Sequence, residues 1–144
     1  MAKYTHILVA LDLSEESVQV LNKAVTLAGD GCTLSLVHVI EPLTFAYGGD
    51  IPVDLTEVQQ QLQEQAEKGL AAMASSLPIS VEQHVVIGQP AAEIHQIAED
   101  KNCDLIILGS HGRRGLALLL GSTANAVLHG SKCDVLAVRI KPAA

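Results

Sequence analysis

Residues Gly109 to Thr123 read Gly-Ser-His-Gly-Arg-Arg-Gly-Leu-Ala-Leu-Leu-Leu-Gly-Ser-Thr. Before them lies Asp104-Leu-Ile-Ile-Leu108, an apolar run with the length of a buried strand. After them lies Ala124-Asn-Ala-Val-Leu128, which reads as a helix. A strand that is apolar on both faces has to be covered on both faces, and parallel sheets flanked by helices provide that cover. The glycine-rich connection also suits an anion. Glycines let backbone approach a guest closely, and the free N–H groups of a helix start point at it. Turn formation alone would explain the glycines equally well, because neither G-x-x-x-x-G-K-[ST] nor G-x-G-x-x-G is present.

The rest of the chain repeats the strand–helix alternation. His6-Ile-Leu-Val-Ala-Leu11 is another doubly apolar strand, ended by Asp12. Ser14 is expected to be the N-cap of the next helix, with Glu15 and Glu16 in its first turn. Val18, Leu21, Val25 and Ala28 form its apolar stripe, and Gly29 or Gly31 ends it. Thr33 to Val39 is the second strand. A loop over 41–53 carries Pro42, Phe45, Tyr47, Gly48, Gly49 and Pro52. Asp54-Leu-Thr-Glu57 then signals a long helix with Val58, Leu62, Ala66, Leu70 and Met73 inward and the glutamines 59–61 solvated. Val81 to Ile87 is a third strand, and Pro90 opens a helix with Ala91, Ile94, Ile97 and Ala98 buried. The 105–108 strand, a helix over 122–130 and a last strand, Val135 to Arg139, complete an α/β chain with a parallel sheet, expected to be one domain over 1–144.

Composition removes several function classes. The net charge of −7 argues against nucleic acid as the main partner. Aromatics at 2% leave no stacking platform for single strands. Cys32, Cys103 and Cys133 are odd in number and lack a C-x-x-C, so neither a disulfide framework nor a zinc knuckle is indicated, and a reduced cytoplasm fits. Cys103 and Cys133 precede strands and read as core-edge residues. The first apolar run is too short for a signal peptide, and nothing approaches a membrane span.

Ligands of such sheets bind beyond the carboxyl ends of the strands, where the strand order reverses. If the first and fourth strands are neighbours there, Asp12 and Gly109 face one crevice. Val9-Ala-Leu-Asp-Leu-Ser-Glu-Glu-Ser17, Val37-His-Val39, Gly88-Gln-Pro-Ala-Ala-Glu-Ile94 and Asp104 to Gly115 together resemble the universal stress protein family over nearly the whole chain. The resemblance implies a Rossmann-like, five-stranded parallel sheet of order 3-2-1-4-5, with helices on both faces. It also implies a cytoplasmic homodimer formed through the last strand.

Family members that bind ATP share a loop G-x-x-G, nine residues, G-[ST]. On that pattern Gly109 and Gly112 match the first part, Gly121 and Ser122 the end, and Thr123 the following residue. Asp12 matches the aspartate near adenine and ribose, and Val39 the apolar contact to the base. Here only eight residues, Arg113 to Leu120, separate Gly112 from Gly121. One residue of extended chain spans up to about 3.5 Å, more than a hydrogen bond tolerates. That spacing resembles the universal stress protein A branch, whose members need not bind ATP, whereas the retained glycines resemble the ATP binders.

Each candidate has a plainer role. Asp12 could cap the following helix, and Ser122 is placed as an N-cap. Arg113 and Arg114 could neutralise phosphate or simply solvate a loop. His111 has no partner at metal-ligand spacing, since His6 and His38 lie within strands. No G-x-S-x-G elbow or acid–base pair identifies a catalytic residue. The expectation is a regulatory stress-response module that binds an adenine nucleotide, ATP or AMP, weakly. Its site would be Asp12, Val39, Gly109, Gly112, Gly121, Ser122 and Thr123, with no metal and no obligatory cofactor. The alternatives are a ligand-free dimeric adaptor acting through protein partners and a slow ATP hydrolase.

Overall fold

Apolar residues alternate so that each central strand feeds two separate cores. In the computed structural model, which describes residues 4–42, 56–110 and 121–141, the strands are β1 (His6–Ala10), β2 (Thr33–Ile40), β3 (Glu82–Ile87), β4 (Leu105–Gly109) and β5 (Asp134–Val138). The helices are α1 (Ser17–Leu27), α2 (Thr56–Ser75), α3 (Pro90–Asp100) and α4 (Ser122–Gly130). The sheet is parallel throughout and ordered β3-β2-β1-β4-β5. Ile7 faces Leu105, Leu8 faces Ile106 and Val9 faces Ile107, so β1 and β4 are neighbours at the centre.

On one face Ile7, Val9, Leu34, Leu36 and Ile107 pack with Val20, Leu21 and Ala24 of α1 and Leu70 and Ala74 of α2. On the other, Leu8, Val37, Ile106 and Leu108 pack with Ala91, Ile94 and Ala98 of α3 and Ala124 and Val127 of α4. The chain therefore leaves β1 toward one face and β4 toward the other.

Element boundaries follow local chemistry. Pro90 opens α3, and the Gln89 side chain caps it by accepting from Ala92 N at 2.7 Å. Two expected caps are not observed. Ser14 does not cap α1: its N–H and hydroxyl both donate to Asp12 at 3.0 and 2.6 Å, and the helix begins three residues later at Ser17. Residues 14–16 form a turn instead, with Ser17 N donating to Ser14 O at 3.0 Å. Glu15 and Glu16 thus precede α1 rather than occupy its first turn. Ser122 is likewise inside α4, and Gly121 holds the N-cap position. The inward stripe of α1 is Ser17, Val20, Leu21 and Ala24, and Val18, expected inside, is 50% exposed. Val58 of α2 is also exposed. Asp54 and the loop around Phe45 and Tyr47 lie outside the described residues.

Candidate functional site: the crevice at the β1–β4 switch point

Because α1 and α4 depart to opposite faces, a gap opens above the carboxyl ends of β1 and β4, where an open α/β sheet takes its ligands. A crevice of about 620 Å³ lies there. Asp12, Val39, Gly109, Gly121, Ser122 and Thr123 all line it. Gly112, together with His111, Arg113 and Arg114, lies outside the described residues.

Asp12 is held by its own turn. Its Oδ1 accepts from Ser14 N (3.0 Å), Ser14 Oγ (2.6 Å) and Ser17 Oγ (2.7 Å). Ser17 is buried at 2% exposure, so this hydroxyl anchors the carboxylate to the first turn of α1. The next residue, Leu13, has φ of 62°, a left-handed conformation that costs a branched side chain about 1–2 kcal/mol. Leu13 packs on the α1–α2 core, which offsets the strain and turns the chain out at the crevice floor.

The opposite wall is built from β4 and α4. Ser110 N donates to Val138 O at 2.8 Å, and Gly121 N donates to Ser110 O. These two bonds tie the exits of β4 and β5 to the start of α4. Gly121, at the N-cap, has no side chain with which to cap α4, and the first amides of a helix have no partner within it. The exposed Ser122 and Thr123 add hydroxyls at the same end. Val39 is half-buried in the α3–α4 core, and Pro90, Ile94, Leu108 and Ala124 extend the apolar wall beside it. One end of the crevice is therefore apolar, and the other offers backbone and hydroxyl donors.

Residue spacing alone does not reveal the remaining walls. His38 lines the crevice, and its Nδ1 donates to Leu11 O at 2.7 Å. Glu16 and Glu41 add carboxylates, whereas Arg139 and Lys141 add cations. Gln19 pins the segment after β5: Lys141 N donates to Gln19 Oε1 at 2.9 Å, and Gln19 Nε2 donates to Lys141 O at 2.8 Å. His38 and Glu41 sit at and just beyond a strand's carboxyl end, and that position is the one sequence signal that could have marked them. Among the described residues, no group of three or more histidines, cysteines or carboxylates is placed to hold a metal. Among the same residues, no helix is long and apolar enough to cross a membrane.

The universal stress protein family matches residues 3–139. The chain belongs to the universal stress protein family. Universal stress protein A homolog 2 of Coxiella burnetii is 47% identical, covering 98% of this chain and 99% of the relative. Among solved structures, hypothetical protein MJ0577, the subject of a structure-based assignment of biochemical function, superposes with a TM-score of 0.80 at 28% identity. That match covers 97% of this chain and 99% of the other. A universal stress protein solved in complex with cAMP shares the fold, with a TM-score of 0.63 at 23% identity over 94% of this chain and 97% of its own. The strand order and the two-faced helix cover of this universal stress protein are those that its sequence resemblance implied.

Proposed function

We propose that this universal stress protein is a regulatory module that binds an adenine nucleotide in the switch-point crevice, and that it acts as a single domain and a homodimer. One observation carries the reading. Asp12, Val39, Gly109, Gly121, Ser122 and Thr123 come from four separate stretches of the chain, yet they line one crevice large enough for a small-molecule ligand. In this reading Val39 and its apolar neighbours take the base, Asp12 takes the ribose, and Gly121 to Thr123 take phosphate at the start of α4. The binding of cAMP by a protein of the same fold is compatible with this and extends to none of these residues. In this reading the ligand acts by changing the surface offered to a partner.

The loop between Gly112 and Gly121 is one residue short of the ATP-binding pattern, so affinity is expected to be micromolar or poorer, roughly −8 kcal/mol at best. Calorimetric titration with ATP, ADP and AMP tests this. Absence of binding at millimolar ligand sinks the nucleotide reading. A specific observation favours the second reading, a ligand-free adaptor: the Asp12 carboxylate already accepts three hydrogen bonds from its own turn.

A further inference from the structure

At the opposite end of the sheet from the crevice lies a second cavity of about 210 Å³, lined by His95, Ala98, Asn102, Cys103, Ile106, Ser131 and Cys133, among others. Two of the three cysteines of the chain therefore open onto one space. They are the residues that lead into neighbouring strands. Leu105 of β4 faces Asp134 of β5, and Cys103 and Cys133 lie two residues and one residue before them, just outside the strands. Both side chains pack in the α3–α4 core, on the same side of the sheet.

Their surroundings differ. Cys103 is buried at 8% exposure, and Cys133 is half-buried. Ser131 fixes Cys133: its hydroxyl donates to Cys133 O at 2.7 Å, accepts from Cys133 N at 3.2 Å and lies 3.7 Å from Cys133 Sγ. The Cys103 thiol is pushed up to about 12 by burial, with the neighbouring Cys133 adding to the effect. Cys32 packs against the other core, on the far side of the sheet.

We propose that Cys103 and Cys133 form a thiol-modification site that reacts with low-molecular-weight disulfides, Cys133 attacking and Cys103 resolving. In the first step the Cys133 thiolate attacks one sulfur of the reagent disulfide. The S–S bond breaks, and half of the reagent leaves as a thiolate that takes up the proton Cys133 lost. In the second step Cys103 loses its proton and attacks Cys133 Sγ, and the other half of the reagent leaves as a thiol. Two protein thiols and one disulfide become one protein disulfide and two small thiols, so electrons and protons balance. Nucleophilicity requires the thiolate, so the buried Cys103 makes the second step the slow one, and the mixed disulfide on Cys133 accumulates first.

The test uses the reduced full-length chain with oxidised glutathione as the probe, followed by intact mass and peptide mapping. The wild type is expected to gain one glutathionyl group on Cys133 and then to become two hydrogens lighter than the starting protein, with the peptides of Cys103 and Cys133 cross-linked. Closure of the isolated mixed disulfide should accelerate about tenfold per pH unit between about pH 7 and 9, as the Cys103 thiolate fraction grows. Cys103→Ala should stop at the adduct. Cys133→Ser, at the more exposed of the two positions, should show neither product, whereas Cys32→Ser should behave as wild type. An adduct on Cys133 that never closes onto Cys103 overturns the proposal. So does an unreactive Cys133, or a Cys133→Ser chain that is modified as fast as wild type.

Discussion

Two aspartates follow the same rule at opposite ends of the sheet: a carboxylate is placed where backbone or hydroxyl donors would otherwise lack a partner. Asp104 accepts from Thr5 N at 2.9 Å and from His6 N at 3.0 Å, which fastens the start of β1 to the start of β4. Burial pushes its carboxyl up, but the bonds from Thr5 and His6 outweigh burial, and the carboxyl lies below its ordinary value. A carboxyl lowered by folding adds stability above its unfolded value, near pH 4, and that contribution is lost as pH falls through the folded value. Asp104→Asn is therefore expected to lose about 1–2 kcal/mol near neutral pH. Its gap from wild type should narrow as pH falls below about 4; urea melts at neutral pH and in acid check both expectations. Asp12→Ala is expected to lose about 1–3 kcal/mol because Ser14 and Ser17 lose their acceptor. If Asp12 also contacts ribose, calorimetry on the folded variant should show weaker nucleotide binding. Unchanged affinity per folded molecule would assign Asp12 to the turn alone.

The elements were legible where one local signal dominated. β1, β2 and β4 are doubly apolar because they are central, and Pro90 and Gln89 mark the start of α3 without competition. The start of α1 was not legible because Asp12 and Ser14 compete for one capping role, and Asp12 Oδ1 takes both the N–H and the hydroxyl of Ser14, which holds Ser14 in the turn before the helix. Starting the helix at Ser17 turns Val18 outward and brings Val20 and Ala24 in. The measurable consequence is an asymmetry between neighbours on the same helix. Val18→Lys should stay within about 0.5 kcal/mol of wild type, whereas Leu21→Ala, at a position 3% exposed, should lose about 2–4 kcal/mol in denaturant melts. The crevice was legible to the same degree. Asp12, Val39 and the flanks of the glycine loop follow from motif and topology. Lys141 does not, because its place depends on the Gln19 clamp across a sequence separation of 122.

For the whole molecule, assembly turns on the outer edge of β5. Among the described residues it is the last strand of the sheet order and pairs with β4 alone. Val135, Leu136, Ala137 and Val138 are each only half-buried within the chain, and an apolar edge of this kind is a template for another strand. The proposed homodimer pairs β5 with its copy. Backbone direction supplies a variant that separates pairing from folding. Val138 O accepts from Ser110 N, so the polar backbone groups of Val138 point toward β4, and those of Ala137, one residue earlier, point away from it. Ala137→Pro removes an outward N–H only. Proline is tolerated on an edge strand in that orientation, and it cannot donate to a partner strand. Sedimentation at micromolar concentration is expected to show a dimer for wild type and a monomer for Ala137→Pro, with unchanged far-ultraviolet circular dichroism. A monomeric wild type would remove the β5 interface, and a dimeric Ala137→Pro would move it to another surface. Because Val138 and Ser110 link β5 to Gly121, the two proteins titrated with AMP also report whether pairing alters the crevice: equal affinities mean that the edge and the site are independent.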